Sequence, residues 1–161
     1  MITMGVDLGG RKAALSLLDD EHHLATHALT VPKTQRHTEL SWLCGGIKTY
    51  TRLADLIVVE EPVIGRGVQS SLQVAHTFGA VLATIGETHP HTNVVTVSVA
   101  SWKKAVVGKG NASKEEVRCW LEQAYPAYAV LCGSDQDRID ATCIGLYGVQ
   151  LHERASQLAE L

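Results

Sequence analysis

Residues 2–8 (ITMGVDL) are almost wholly apolar and run into Gly9-Gly10, a pair that admits a tight turn. That pattern predicts a buried strand and a reversal. Residues 12–18 (KAALSLL) predict a second strand, with a turn at Asp19-Asp20-Glu21, and residues 24–31 (LATHALTV) a third, ended by Pro32. The period then changes. Leu40, Leu43, Ile47, Tyr50 and Leu53 recur at helical spacing and predict a helix over 38–53. Residues 55–59 (DLIVV) form a short continuous apolar run, as in the buried centre of a sheet.

After the loop EPVIGRG, a stripe of Leu72, Ala75, Phe78, Gly79 and Leu82 predicts a helix over 68–85. Residues 93–98 (NVVTVS) predict a fifth strand, VASWKKAVVG a short helix and GKGN a loop. Ser113 with Glu116 three residues on is a capping-box pattern, and Tyr125-Pro126 closes the helix it opens. A final helix is predicted from about Gln136 to the C-terminus. Three hairpin-linked strands followed by alternating helix and strand predict an α/β fold with a five-stranded mixed sheet flanked by helices. At 161 residues, a single domain spanning the chain is expected.

Composition narrows this picture. The 45% hydrophobic content and mean hydropathy of +0.04 fit a folded globular chain. No apolar run approaches the roughly 20 residues of a membrane helix, and no signal-peptide pattern precedes the first strand, so a cytoplasmic location without membrane contact is expected. Cys44, Cys119, Cys132 and Cys143 are widely spaced and predict reduced thiols, not a zinc site. The eight histidines are scattered, and none is assigned chemistry. A net charge of −3 argues against indiscriminate nucleic-acid binding. The distribution of positive charge matters more.

Four acidic residues stand out: Asp7 and Glu60 on strand-like runs, and Asp137 and Asp140 three apart at the start of a helical pattern. Three of them adjoin segments apolar enough to be buried, where an unpaired carboxylate is costly. Folded together, they would offer oxygen ligands to hard divalent cations. Such a two-metal site activates water and stabilises the leaving oxygen in phosphodiester cleavage. Glu61 and Asp135 are competitors. Strand alternation turns Glu61 to the opposite face from Glu60, and Asp135 is placed to cap the last helix.

These segments resemble the RuvC-type Holliday junction resolvases of the RNase H-like superfamily. GVDLGGR resembles that family's opening G-I-D-x-G-x-R, and VVEEPVIG its second acidic motif. SWKKAVVGKGNASKEEV resembles its lysine-containing segment, and DRIDATCIG its D-x-x-D-A helix start. The likeness covers nearly the whole chain with every motif in order; the compact length resembles small phage-encoded members. It implies an RNase H-like fold and a metal-dependent endonuclease that cuts Holliday junctions and other branched DNA as a homodimer. Two Mg²⁺ ions per site are implied, with Mn²⁺ as a substitute.

Carried over by position, Asp7, Glu60, Asp137 and Asp140 become metal-binding catalytic carboxylates, and Lys103 and Lys114 catalytic lysines near the scissile phosphate. Lys103, Lys104, Lys109, Lys114 and Arg118, interrupted by Trp102, form a basic stretch for DNA, with Arg66 as a further contact. Where family members can carry a base-stacking aromatic, three positions after the second acidic residue, this chain has Val63; Ile64 or Trp102 would be substitute wedges. Two rival readings remain. One takes the opening hairpin as the phosphate-binding lobe of a sugar kinase or actin-like ATPase, the other takes the chain as a non-catalytic adaptor on a nuclease fold.

Overall fold

The structure is a computed structural model that describes residues 1–19, 22–63, 65 and 67–159. Its strands are β1 (Thr3–Leu8), β2 (Lys12–Leu18), β3 (His23–Thr30), β4 (Leu56–Glu60) and β5 (Asn93–Val97). The helices are α1 (Arg36–Thr51), α2 (Val68–Thr88), α3 (Val99–Val106), α4 (Lys114–Ala124), α5 (Pro126–Cys132) and α6 (Gln136–Ala159). The sheet order is β3-β2-β1-β4-β5. β1 and β3 flank β2 antiparallel, while β4 and β5 extend the sheet parallel to β1. The mixed five-stranded sheet expected from the hydrophobic pattern is the one observed.

Helix α5 is an addition to the elements that the hydrophobic pattern predicts. Its seven residues are too few to show periodicity, and the proline that closes α4 serves as the first residue of α5, where its missing N–H costs nothing. Ser113 and Glu116 form both bonds of the expected capping box. The turn expected at Asp19–Glu21 falls partly outside the described residues.

Strand alternation divides the interior. Met4, Val6, Leu8, Leu15, Leu17, Ile57 and Val59 pack with Leu43 and Ile47 of α1 and Val81 and Ile85 of α2. The other face meets α3, α4 and α6 through Leu18, Leu56, Val58, Trp102, Val117, Leu121, Ile139 and Ile144. On that side α6 lies against β1 backbone to backbone: a Cβ on Gly5 would stand 2.1 Å from the Ala141 carbonyl oxygen and 2.3 Å from the Gly145 nitrogen. Gly148, lower on the same helix face, leaves room instead for the side chains of Thr3 and Val58. Glycines here shorten the distance between helix and sheet by the depth of a side chain.

Polar ties complete the docking. Thr142 on α6 donates to Ser16 on β2 at 3.0 Å, and Ser16 bonds the buried His23 ring at 2.9 Å. That bond and its burial make His23 part of the packing network, and burial pulls its pKa below the usual value. On the opposite side, the Arg36 guanidinium donates to the Gly10 carbonyl at 2.6 Å, the Gln73 carbonyl at 2.5 Å and the Thr77 hydroxyl at 2.7 Å. One side chain thereby joins α1, the β1–β2 turn and α2.

Candidate active site

The register decides which acidic side chains meet. Asp7 pairs with Ala14 on β2, and Gly5 with Val58 on β4, so Asp7, Ala14, Val58 and Glu60 project from the face that α6 crosses. The first turns of α6 bring Asp137 and Asp140 over that spot, one helical turn apart. A cavity of about 450 Å³ opens there, lined by Asp7, Glu60, Asp137, Asp140, Lys12, Lys103 and Lys114. The four carboxylates and both matched lysines share it. Glu61 faces away and accepts a bond from Thr96 at 2.9 Å. Asp135 accepts from the Asp137 and Arg138 amides at 3.0 and 3.4 Å, as a cap does.

The charges oppose one another. Burial lifts Asp7 well above the usual carboxylate range, and Glu60, Asp140 and Asp137 push it further. Burial also raises Glu60, against the hydrogen bond it accepts from Trp102, and raises Asp140, against the bond it accepts from Gln136. Such a cluster is held at a cost that cations of the right hardness remove. The donor set is all carboxylate oxygen, with no thiolate or imidazole among the described residues that line the cavity, which fits Mg²⁺ or Mn²⁺.

Three of the four carboxylates already hold a donor. The Trp102 indole N–H reaches Glu60 Oε2 at 2.6 Å, the Gln136 amide reaches Asp140 Oδ1 at 2.8 Å, and the Lys12 ammonium bonds Asp137 Oδ2. Among the described residues, no group of three acidic, histidine or cysteine side chains is arranged to hold an ion as it stands.

Trp102 requires a correction. The basic stretch around it predicts a place at the DNA surface, or a wedge between bases, but it is fully buried and its ring cannot reach a nucleotide. Its place on the apolar face of α3, beside Val106, is readable from the helical period; its bond to Glu60 is not. Lys103 donates to the Ala112 carbonyl at 2.7 Å, with its ammonium 5.6 Å from the Trp102 ring centroid. Lys114, the first residue of α4, is exposed at the cavity. Lys104 is exposed; Lys109 pairs with Glu116 at 2.5 Å, and Arg118 ties α4 to the Ser134 carbonyl at 3.0 Å. Val63 is 64% exposed and lines the cavity. Arg66 and Ile64 lie outside the described residues. No motif singles out Lys12, although hairpin register alone places it on the face of Asp7.

Comparison with known proteins gives this geometry a lineage. A family model described as crossover junction endodeoxyribonuclease RuvC matches residues 3–125. The chain belongs to the RuvC family. The RuvC of Salinibacter ruber is 31% identical over 164 residues, 91% of this chain and 83% of that protein. The RuvC of Gluconobacter oxydans is 29% identical, covering 95% of this chain and 91% of its own length. Among solved structures, Thermus thermophilus RuvC in complex with a Holliday junction substrate superposes with a TM-score of 0.74 at 18% identity, over 95% of this chain and 96% of that one. The RuvC model match takes in Asp7, Glu60, Lys103 and Lys114 and ends before α6; the cavity brings Asp137 and Asp140 together with them. Membership also removes the kinase-lobe reading.

Proposed function

We propose that this chain is a structure-selective endonuclease that hydrolyses phosphodiester bonds in four-way DNA junctions, with Asp7, Glu60, Asp137 and Asp140 holding two Mg²⁺ ions. The observation that carries the reading is the convergence of carboxylates from β1, β4 and α6 on one cavity rimmed by Lys103 and Lys114, in a chain of a junction-endonuclease family. When bound, the ions polarise the phosphodiester and lower the pKa of the attacking water. Glu60 is aimed by Trp102, and Asp140 by Gln136. Lys114 stabilises charge that develops on the phosphate, and Lys103 does the same while anchoring the loop before α4. Lys104 and the rest of the basic stretch hold backbone phosphates. Val63 offers no ring for a base to stack on, so forks and flaps are cut as well as four-way junctions.

Two symmetric cuts need two sites, and a homodimer supplies them. Helix α2 is its proposed surface: Val68 is 80% and Leu72 50% exposed, beside a hollow formed with Gly65, Gly67, Ser71 and Ala75. Among the described residues no helix is long and apolar enough to cross a membrane, and action in the cytoplasm is part of the reading. The test is a gel assay with junction, fork, flap and linear DNA in Mg²⁺ and in Ca²⁺. Junction cleavage in Mg²⁺, lost in Asp7→Asn, is expected. Ca²⁺, with its looser and longer coordination, should support binding with little cutting. A folded protein that binds junctions but cuts none of them in Mg²⁺ or Mn²⁺ would favour the adaptor reading.

A further inference from the structure

Lys12 has no part in the assignments above, yet it lines the same cavity and bonds directly to one of the four carboxylates. It opens β2 two residues before Ala14, the partner of Asp7, so the pleat directs it to the α6 side. Its side chain is 55% exposed and that of Asp137 29%, which puts the pair at the mouth of the cavity. The other two lysines lining the cavity behave differently: Lys103 gives its ammonium to the Ala112 carbonyl, and Lys114 is exposed at the start of α4. An ammonium and a hard divalent cation seek the same feature of Asp137, lone pairs on a charged oxygen. Both cannot hold Oδ2 on equal terms.

We propose that Lys12 is an exchangeable counter-cation of the carboxylate cluster: it neutralises Asp137 until metal enters, and is then released to bind a phosphate of the DNA at the cavity mouth. The proposal rests on Asp137 being a metal ligand. The long, mobile lysine stem spans both positions from one exposed anchor, whereas Lys103 is tied down. Release also frees a positive charge in the cavity that Lys114 lines, at the moment the site becomes able to cut. Metal and DNA then reinforce one another, because the phosphate that captures Lys12 disfavours its return to Asp137; by linkage each ligand tightens the other.

The experiment is a calorimetric titration of Mn²⁺ without DNA, on wild type, Lys12→Met and Lys12→Arg. Lys12→Met removes the competitor and should tighten Mn²⁺ binding by about fivefold, the scale of one exposed ion pair; Lys12→Arg, which keeps the charge, should not tighten it. Junction binding is then followed over a salt series in Ca²⁺ and in EDTA. Lys12→Met should reduce the salt slope by about 0.9 in Ca²⁺, the value of one phosphate contact, and leave it unchanged in EDTA. If wild type folds but binds no Mn²⁺, the metal reading itself fails. If wild type binds and Lys12→Met binds no more tightly, the counter-cation alone is overturned. A slope that falls equally in EDTA would make Lys12 a permanent DNA contact and overturn the exchange.

Discussion

The two faces of the sheet are cut from the same strands by opposite rules. Along β1, Met4, Val6 and Leu8 enter the aliphatic core under α1 and α2, while Thr3, Gly5 and Asp7 turn toward α6. The first face fills space with branched side chains and spreads its stability over many contacts. The second gives up side-chain volume so that a helix backbone can touch the sheet, and gathers carboxylates where that helix begins. One strand thus fills the aliphatic core with alternate residues and, with the rest, gives α6 a close approach and the cavity a carboxylate.

The sharpest way to break this comparison is one substitution on each face. Asp7→Asn is expected to abolish cleavage in Mg²⁺ while junction binding persists in Ca²⁺. Leu15→Ala, from the aliphatic face, is expected to cost about 2–5 kcal/mol of stability and to leave the single-turnover rate of the folded fraction unchanged. Asp7 also sets a pH signature. Its carboxyl is raised in the fold, so the folded protein holds the proton more tightly than the unfolded chain, and stability without metal falls as pH rises from the unfolded value through the raised one. Thermal melts in EDTA should therefore find Asp7→Asn more stable than wild type near neutral pH, with the gap closing toward about pH 4. No gap at either pH would mean the carboxylates do not burden the fold.

Trp102→Phe comes next, because it keeps the buried ring and deletes the bond to Glu60. Loss of such an outer support is expected to weaken metal affinity or rate by about 10- to 100-fold, read from the Mn²⁺ dependence of cleavage. Gly5→Ala tests the close approach: the added methyl must move α6, at about 1–3 kcal/mol, and should reduce the cleavage rate of protein that remains folded. The smallest effects separate the lysines. Lys114→Ala should lower the rate at saturating enzyme, whereas Lys104→Ala should weaken binding and reduce its salt slope by about 0.9. Equal losses of affinity in both would reduce them to a generic basic surface.

Much of the division between the two faces is legible in the amino-acid sequence. The alternation T-M-G-V-D-L puts Asp7 opposite in facing to its apolar neighbours, and the i, i+3 spacing of Asp137 and Asp140 puts both on one side of a helix. Local periodicity carries such information, because it depends only on backbone geometry. What it does not carry is where two distant elements touch. Trp102 sits in a basic stretch and looks like a nucleic-acid contact until α3 turns it inward onto Glu60. Lys12 looks like an ordinary hairpin lysine until α6 brings Asp137 above it. Helix α5 escapes for the reverse reason: a single proline ends one helix and starts the next, leaving no gap in which to see the change.

The glycine contact between β1 and α6 has a consequence for chain length. Asp137, Ala141 and Gly145 stand at successive steps of four, so the row that touches Gly5 is the row that aims a carboxylate. Helix position and carboxylate direction are therefore one variable. An insertion of a single residue between Asp140 and Gly145 would rotate the first turn by about 100° and swing both acids away from Asp7, although all four carboxylates would still be present. In this stretch of the chain the number of residues is constrained as tightly as their identity.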